Sequence, residues 1–311
     1  MAGERNEWLI SCGIQRKGTR KMEALDGVLT AIVTPFRDNG DLWLDVLPEL
    51  LAYQQAAGVD GIVIAGTNGE GPSLSVSERK TLLETAIKYR GKLKVVAGTG
   101  AASITDAIEL TRHAADAGAN AALVLPPFYF KNVPARGVAD YFRRVLDAAR
   151  LPVYLYHIPQ FSAVPVTTEV LDLLDGHPYL AGVKDSEGNR KRTEEFLARK
   201  PALRTFAGDD YTLGRSLLLG AVGGISGTAN AFPQQVVSVK TAAFTGGDVE
   251  AAQKVLNAGI DLVLRYNLIP ANKSIMAYKG LPRLHVRPPL MDLTEDEEKN
   301  LIAEARALGL I

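Results

Sequence analysis

Leu180-Ala181-Gly182-Val183-Lys184 is a short apolar run that ends in a charge, and the chain repeats its form many times. Just upstream, Val153-Tyr154-Leu155-Tyr156 runs into His157-Ile158-Pro159. Further out, Val28–Val33, Gly61–Ala65, Leu93–Gly98, Ala121–Leu125, Leu203–Gly208 and Ala221–Ile225 follow the same plan. Each run ends in a Gly-rich, Pro-rich or polar cluster, and an amphipathic segment follows. The eight runs are apolar throughout and partly β-branched, as expected of strands covered on both faces.

The intervening segments read as helices. Trp43, Val46, Leu47, Leu50 and Leu51 share one face, and Ile104, Ala107, Ile108, Thr111 and Ala115 share another. Ser75-x-x-Glu78 and Thr294-x-x-Glu297 have the form of capping boxes. Pro134 and Pro233 sit near helix starts, and Gly58, Gly91 and Gly118 follow helix ends. Eight strand–helix units predict an α/β fold, a (β/α)8 TIM barrel. The doubly wound alternative would want a phosphate fingerprint early in the chain; neither GxGxxG nor GxxxxGK[ST] occurs. We assign 22–230 to the barrel and 231–311 to its last helix and a C-terminal helical extension, with helices expected near 248–267, 270–279 and 294–308. Residues 1–21 carry Arg5, Arg16, Lys17, Arg20 and Lys21 against Glu4 and Glu7, with no apolar core behind them. They read as a basic tail outside the fold rather than a secretory signal.

Composition narrows the function. The chain has 311 residues, with 35 Lys and Arg balanced by 35 Asp and Glu. Nucleic acid and anionic membranes select a basic surplus, so neither is expected as a partner. Cys12 is the single cysteine, too few for an internal disulfide or a Cys-rich zinc site, and points to a cytoplasmic protein. The four histidines, His113, His157, His177 and His285, are widely spaced and form no HExxH. A metal-dependent mechanism is not expected.

In such barrels the chemistry sits at the carboxyl ends of the strands. Thr67-Asn68-Gly69-Glu70, Pro126-Pro127-Phe128-Tyr129, Tyr156-His157, Lys184-Asp185-Ser186, Gly208-Asp209-Asp210 and Ser226-Gly227-Thr228 all fall there. Period-two alternation puts Leu180, Gly182 and Lys184 on one face, either the barrel interior or the helix layer. An inward lysine loses hydration, and a fall from about 10.4 to 7–8 corresponds to roughly 3–5 kcal/mol. Such an amine condenses with ketones. The alternative is a strand-end lysine reaching solvent or paired with Asp185. Tyr156 shares a face with Tyr154; it is either a proton shuttle or a packing aromatic. Gly66–Gly69 is a tight turn whose amides suit a carboxylate, or simply reverse the chain.

Taken together, Ala31-Ile-Val-Thr34-Pro35-Phe36, Gly66-Thr67-Asn68-Gly69-Glu70, Val95-Val-Ala-Gly98-Thr99-Gly100, Pro127-Phe128-Tyr129, Leu155-Tyr156-His157-Ile158-Pro159, Gly182-Val183-Lys184-Asp185 and Gly223-Gly224-Ile225-Ser226 resemble one family. It is the dihydrodipicolinate synthase and N-acetylneuraminate lyase family of pyruvate-dependent class I aldolases. The resemblance runs from about Leu25 to the C-terminus. It implies that Lys184 forms a Schiff base with pyruvate and that Tyr156 moves protons. Thr67 is then the relay to a second tyrosine, matched by Tyr129, which in the family can come from a neighbouring subunit. Asn68 and Gly69 would hold the pyruvate carboxylate, with Ile225 bordering it. No metal or diffusible cofactor is implied, and the partners are pyruvate, a small aldehyde or 2-oxo acid, and further copies of the chain in a dimer or tetramer.

The departures bear on the second substrate. Phe161 stands where dihydrodipicolinate synthases carry an arginine for a carboxylate, and a phenyl ring cannot replace a bidentate guanidinium. His157 replaces the usual asparagine after the tyrosine, and is read as a packing residue or a contact to substrate. Asp210 falls where sialic acid lyases grip hydroxyls, although a helix N-cap explains it equally. The favoured substrate is therefore a 2-keto-3-deoxy sugar acid or 4-hydroxy-2-oxoglutarate, with 4-hydroxy-tetrahydrodipicolinate synthesis as the alternative. Two other readings are a catalytically silent ligand sensor on the same fold and a phosphate-binding barrel using Gly223-Gly224.

Overall fold

Strands β1 (Gly27–Ala31), β2 (Gly61–Ile64), β3 (Lys94–Gly98), β4 (Ala121–Val124), β5 (Val153–His157), β6 (Leu180–Asp185), β7 (Arg204–Ala207) and β8 (Gly223–Ser226) pair in parallel in chain order. β8 pairs with β1 and closes the barrel. The computed structural model describes residues 25–199 and 202–311, so the basic segment 1–21 lies outside the described residues. Each expected strand forms, within a residue or two of its expected limits.

Alternation along the strands sorts the apolar side chains into two layers. Leu29, Ala31, Val63, Val96, Leu123, Tyr154, Tyr156, Phe206 and Ile225 pack together inside the ring. Ile62, Ile64, Val95, Val124, Leu155 and Val183 face outward onto the helices. Tyr154 and Phe206 meet edge to face at 5.4 Å. Filling such an interior is worth about 1.5–3 kcal/mol for each large apolar side chain buried.

The helix layer follows the local signals. Leu47–Ala56, Val76–Tyr89, Ile104–Ala117, Ala135–Ala148, Thr168–Leu173, Arg190–Leu197, Leu213–Leu218 and Pro233–Thr245 succeed the eight strands in turn. Trp43 and Val46 precede the first of these, in and beside a short 3-10 turn, rather than sharing an α-helical face with Leu47–Leu51. Both capping boxes form, at Ser75/Glu78 and Thr294/Glu297. Helices Val249–Arg265, Leu268–Tyr278 and Glu295–Ala307 make the C-terminal extension. Among the described residues no helix is long and apolar enough to cross a membrane.

A second expectation fails, in β6. Leu180 does not share a face with Gly182 and Lys184. The β5–β6 register shifts between Val153 and Tyr154, pairing Val153 with Leu180 but Tyr154 with Gly182. The extra residue, Ala181, packs toward the barrel interior, and Leu180 turns to the helix layer. Downstream of the shift, Gly182 and Lys184 face inward: a Cβ at Gly182 would lie 2.7 Å from the Tyr154 ring.

Candidate active site

Lys184 ends an inward row on β6, and its side chain stays inside. Only 3% of the residue is exposed, which removes the solvent-reaching alternative. Pairing with Asp185 is removed as well. Alternation turns Asp185 outward, where Thr193 Oγ1 donates to its Oδ2 at 2.6 Å and the Glu187 amide donates to its Oδ1 at 3.1 Å. Burial holds that carboxyl above the usual aspartate value.

The partner Lys184 does have is Tyr156, opposite it across the β5–β6 ladder. Nζ donates to the phenol oxygen at 3.1 Å and lies 4.2 Å from the ring centroid. Thr67 Oγ1, on the turn after β2, is 3.5 Å from the same phenol oxygen, the outer edge of a hydrogen bond. Burial pushes the Tyr156 phenol up, but the adjacent Lys184 charge and the hydroxyls around it outweigh burial and hold it below the usual tyrosine value. An amine and an acidified phenol at this distance are equipped to exchange a proton.

Space for the amine is made by Gly208 at the end of β7. A Cβ there would lie 2.1 Å from Ser186 Oγ and 2.6 Å from Lys184 Cε. Ser186 was legible only as a polar strand end. Its hydroxyl is buried beside this group and is one of those that bear on the Tyr156 phenol, although no contact it makes meets hydrogen-bond geometry.

The turn after β2 presents two backbone donors: among the described residues the N–H groups of Asn68 and Gly69 donate to no protein acceptor, whereas Glu70 and Gly71 close the turn onto Thr67 and Gly66. Thr34 Oγ1 donates to the Gly69 carbonyl at 2.5 Å and fixes the loop from β1. Asn68 Oδ1 is buried without a partner. Ile225 is buried in the interior cluster with Tyr156.

A cavity of about 200 Å³ opens beside Tyr156 and Thr67, walled by Leu125, Phe128, Ile158 and Phe161. Lys184 stands behind Tyr156 rather than in this wall. Phe161 is 70% exposed and forms part of the rim. Arg79 also borders the cavity, but its guanidinium is turned to the carbonyls of Gly71 and Gly100.

Asn68, Gly69 and Ile225 do not line this cavity, and three further sequence candidates, Tyr129, His157 and Asp210, lie outside it as well. Tyr129 is 81% exposed, has a left-handed backbone (φ 102°) and stacks edge to face on Phe130; it does not reach Thr67 within this chain. His157 alternates outward from Tyr156 and is fully buried against Phe196. Its Nδ1 accepts the Val166 amide at 3.0 Å, which leaves Nε2–H to donate to Glu187 at 3.1 Å. His157 therefore pins the 158–166 loop that carries Phe161. Asp210 accepts from Ser226 Oγ at 2.9 Å and from the Thr228 amide at 3.1 Å, and is absent from the cavity wall. Gly223 and Gly224 are explained by packing: a Cβ at Gly223 would lie 1.9 Å from the Gly27 carbonyl, and one at Gly224 2.5 Å from Leu213. Among the described residues no cluster of His, Cys, Asp and Glu is arranged to hold a metal ion.

Comparison with known proteins bears on the family and the fold. The model of the dihydrodipicolinate synthetase family matches residues 24–308. An uncharacterized DapA-like lyase of Chloroflexus aurantiacus is 42% identical over 277 residues, covering 87% of this chain and 93% of the relative. A 4-hydroxy-tetrahydrodipicolinate synthase of Dechloromonas aromatica is 36% identical over 293 residues, covering 92% and 99%. The crystal structure of YagE from E. coli K12, a prophage protein of the dihydrodipicolinic acid synthase family in complex with pyruvate, superposes with a TM-score of 0.85 at 29% identity, covering 92% and 99%. A closed eight-stranded barrel with a buried lysine facing a tyrosine, matched along nearly all its described length, makes this chain a member of the dihydrodipicolinate synthetase family and a lyase.

Proposed function

We propose that the protein joins pyruvate to an aldehyde, or reverses that reaction, through a Schiff base on Lys184. The observation that carries this reading is the buried amine held 3.1 Å from the Tyr156 phenol. The amine attacks C2 of pyruvate; the ketone oxygen takes up one proton passed from the amine nitrogen through Tyr156 and a second delivered by the same phenol, and leaves as water, which gives the protonated imine. The resulting iminium draws electrons from C3, which gives up a proton to form an enamine. The enamine carbon then bonds to the aldehyde carbon, the new alkoxide is protonated, and water releases the product from Lys184. Asn68 and Gly69 amides receive the carboxylate, Ile225 borders it, and Thr67 continues the proton path from Tyr156. Tyr129 completes that path from a neighbouring subunit, which supports a homo-oligomer. The iminium formed on Lys184 is the electron sink, so these steps draw on no cofactor.

For the second substrate, the rim ring of Phe161 favours an aldehyde without a carboxylate at that point, such as the aldehyde released from a 2-keto-3-deoxy sugar acid. 4-Hydroxy-2-oxoglutarate belongs in the same assay panel. Synthesis of 4-hydroxy-tetrahydrodipicolinate is the second reading, favoured by the name of the Dechloromonas aromatica relative. Borohydride reduction in the presence of pyruvate should leave a mass adduct on Lys184, and Lys184→Ala should carry none while keeping its fold. An adduct on the alanine variant would remove the assignment. An adduct on the unaltered protein without turnover of any aldehyde would make it a pyruvate sensor.

A further inference from the structure

Glu70 follows directly on the Thr67–Gly69 turn, yet its carboxylate is held from the far end of the chain. Its backbone is left-handed (φ 52°), and its amide closes the turn onto the Thr67 carbonyl at 3.0 Å. Oε1 accepts from Lys273 Nζ at 2.6 Å, and Oε2 accepts from the Arg287 amide at 2.9 Å. Lys273 lies in helix Leu268–Tyr278 of the C-terminal extension, and Arg287 in the segment after it. Nζ also donates to the His285 carbonyl and stands 5.0 Å from the centre of the Phe36 ring. Both side chains of the ion pair are 1% exposed.

A fully buried ion pair is a poor way to add stability, because desolvation consumes most of its attraction. What it supplies is one fixed geometry. Here the fixed object is the turn whose Asn68 and Gly69 amides face no protein acceptor. Neither Glu70 nor Lys273 hydrogen-bonds to Lys184, Tyr156 or Thr67 side chains. We propose that Lys273 and Glu70 are positioning residues, through which the C-terminal extension aims the carboxylate-binding amides. They then govern affinity for the keto acid's carboxylate and leave imine chemistry at Lys184 largely untouched. This inference rests on the pyruvate reading above.

The test uses the full chain and cyanoborohydride trapping followed by mass spectrometry, with pyruvate and with acetone, a ketone lacking the carboxylate. In Lys273→Met and Glu70→Gln, half-saturating pyruvate should rise about tenfold or more, the loss expected when charge-assisted contacts to a carboxylate are misaligned. Trapping at saturating pyruvate, and trapping by acetone, should both stay within about threefold of the unaltered protein, a limit well under that tenfold loss. Unchanged half-saturation in a folded variant overturns the proposal. So does an equal loss with both ketones, which would mean general damage to the site. If Lys273→Met does not fold, Glu70→Gln, which keeps the shape, decides by the same criteria; failure of both to fold means that the pair serves the fold and overturns the proposal. No adduct on the unaltered protein would instead overturn the pyruvate reading, and this inference with it.

Discussion

Lys184 is placed by what its neighbours lack as much as by what they offer. Asp185 is turned away to Thr193, Gly208 leaves room for the aliphatic stem, and Tyr156 is the side chain that receives its hydrogen bond. The rim residue Phe161 has a different task. It stands at the mouth of the cavity, on a loop that His157 pins through the Val166 amide. Phe161→Arg should therefore shift preference toward aldehydes with a nearby carboxylate, by about tenfold or more for a bidentate charge-assisted contact. Competition between a carboxylated and an uncarboxylated aldehyde measures the shift. An unchanged ratio would show that acceptors do not pass this rim. The position of Phe161, two residues after the proline of Tyr156-x-x-Pro159, was legible in the sequence. The role of His157 was not, because its two ring nitrogens are assigned only by partners nine and thirty residues away.

At the scale of elements, helix Val76–Tyr89 shows one residue serving two structures. Glu78 completes the capping box with Ser75 and also receives both terminal nitrogens of Arg287. The Arg287 hydrogen bonds hold the Glu78 carboxyl near 2, against 4.5 for an ordinary glutamate. Its folded-state value is depressed, so the stability it contributes is complete above about 4.5 and is lost as pH falls through about 2. Urea midpoints measured across that interval should fall for the unaltered protein. Glu78→Gln should lower the midpoint at neutral pH and flatten its acid limb. An equally steep limb in the variant would assign the pH dependence to other carboxylates. The capping box is a local pattern and was readable from spacing alone; the arginine, 209 residues away, was not. The β5–β6 register shift escaped for a similar reason, since a bulge is settled by which strand a residue meets.

At the scale of the whole molecule, Tyr129 and Phe130 form an exposed aromatic pair on the loop after β4, 81% and 73% accessible. On the proposed role of Tyr129, a neighbouring copy supplies the end of the proton path. Mixing inactive Tyr129→Phe with inactive Lys184→Ala, by joint refolding, should restore activity. Mixed oligomers contain sites in which an intact lysine meets an intact tyrosine. With random mixing of two chains, up to about a quarter of the sites are whole. No recovery in verified mixed oligomers would place Tyr129 in its own subunit's site or outside catalysis.

The eight strands, the capped helices, the shared face of Tyr154 and Tyr156 and the lysine at the end of the sixth apolar run follow from local periodicity and end signals. A strand or helix needs only its own periodicity to decide which side chains share a face. Contacts between distant segments follow other rules. That Lys184 meets Tyr156 rather than Asp185, that Asp210 serves Ser226 and Thr228, and that Glu70 is gripped by Lys273 depended on the closed barrel and on the extension folded against it. A charge buried away from water must find its partner in three dimensions, and the linear order of residues carries no measure of that distance.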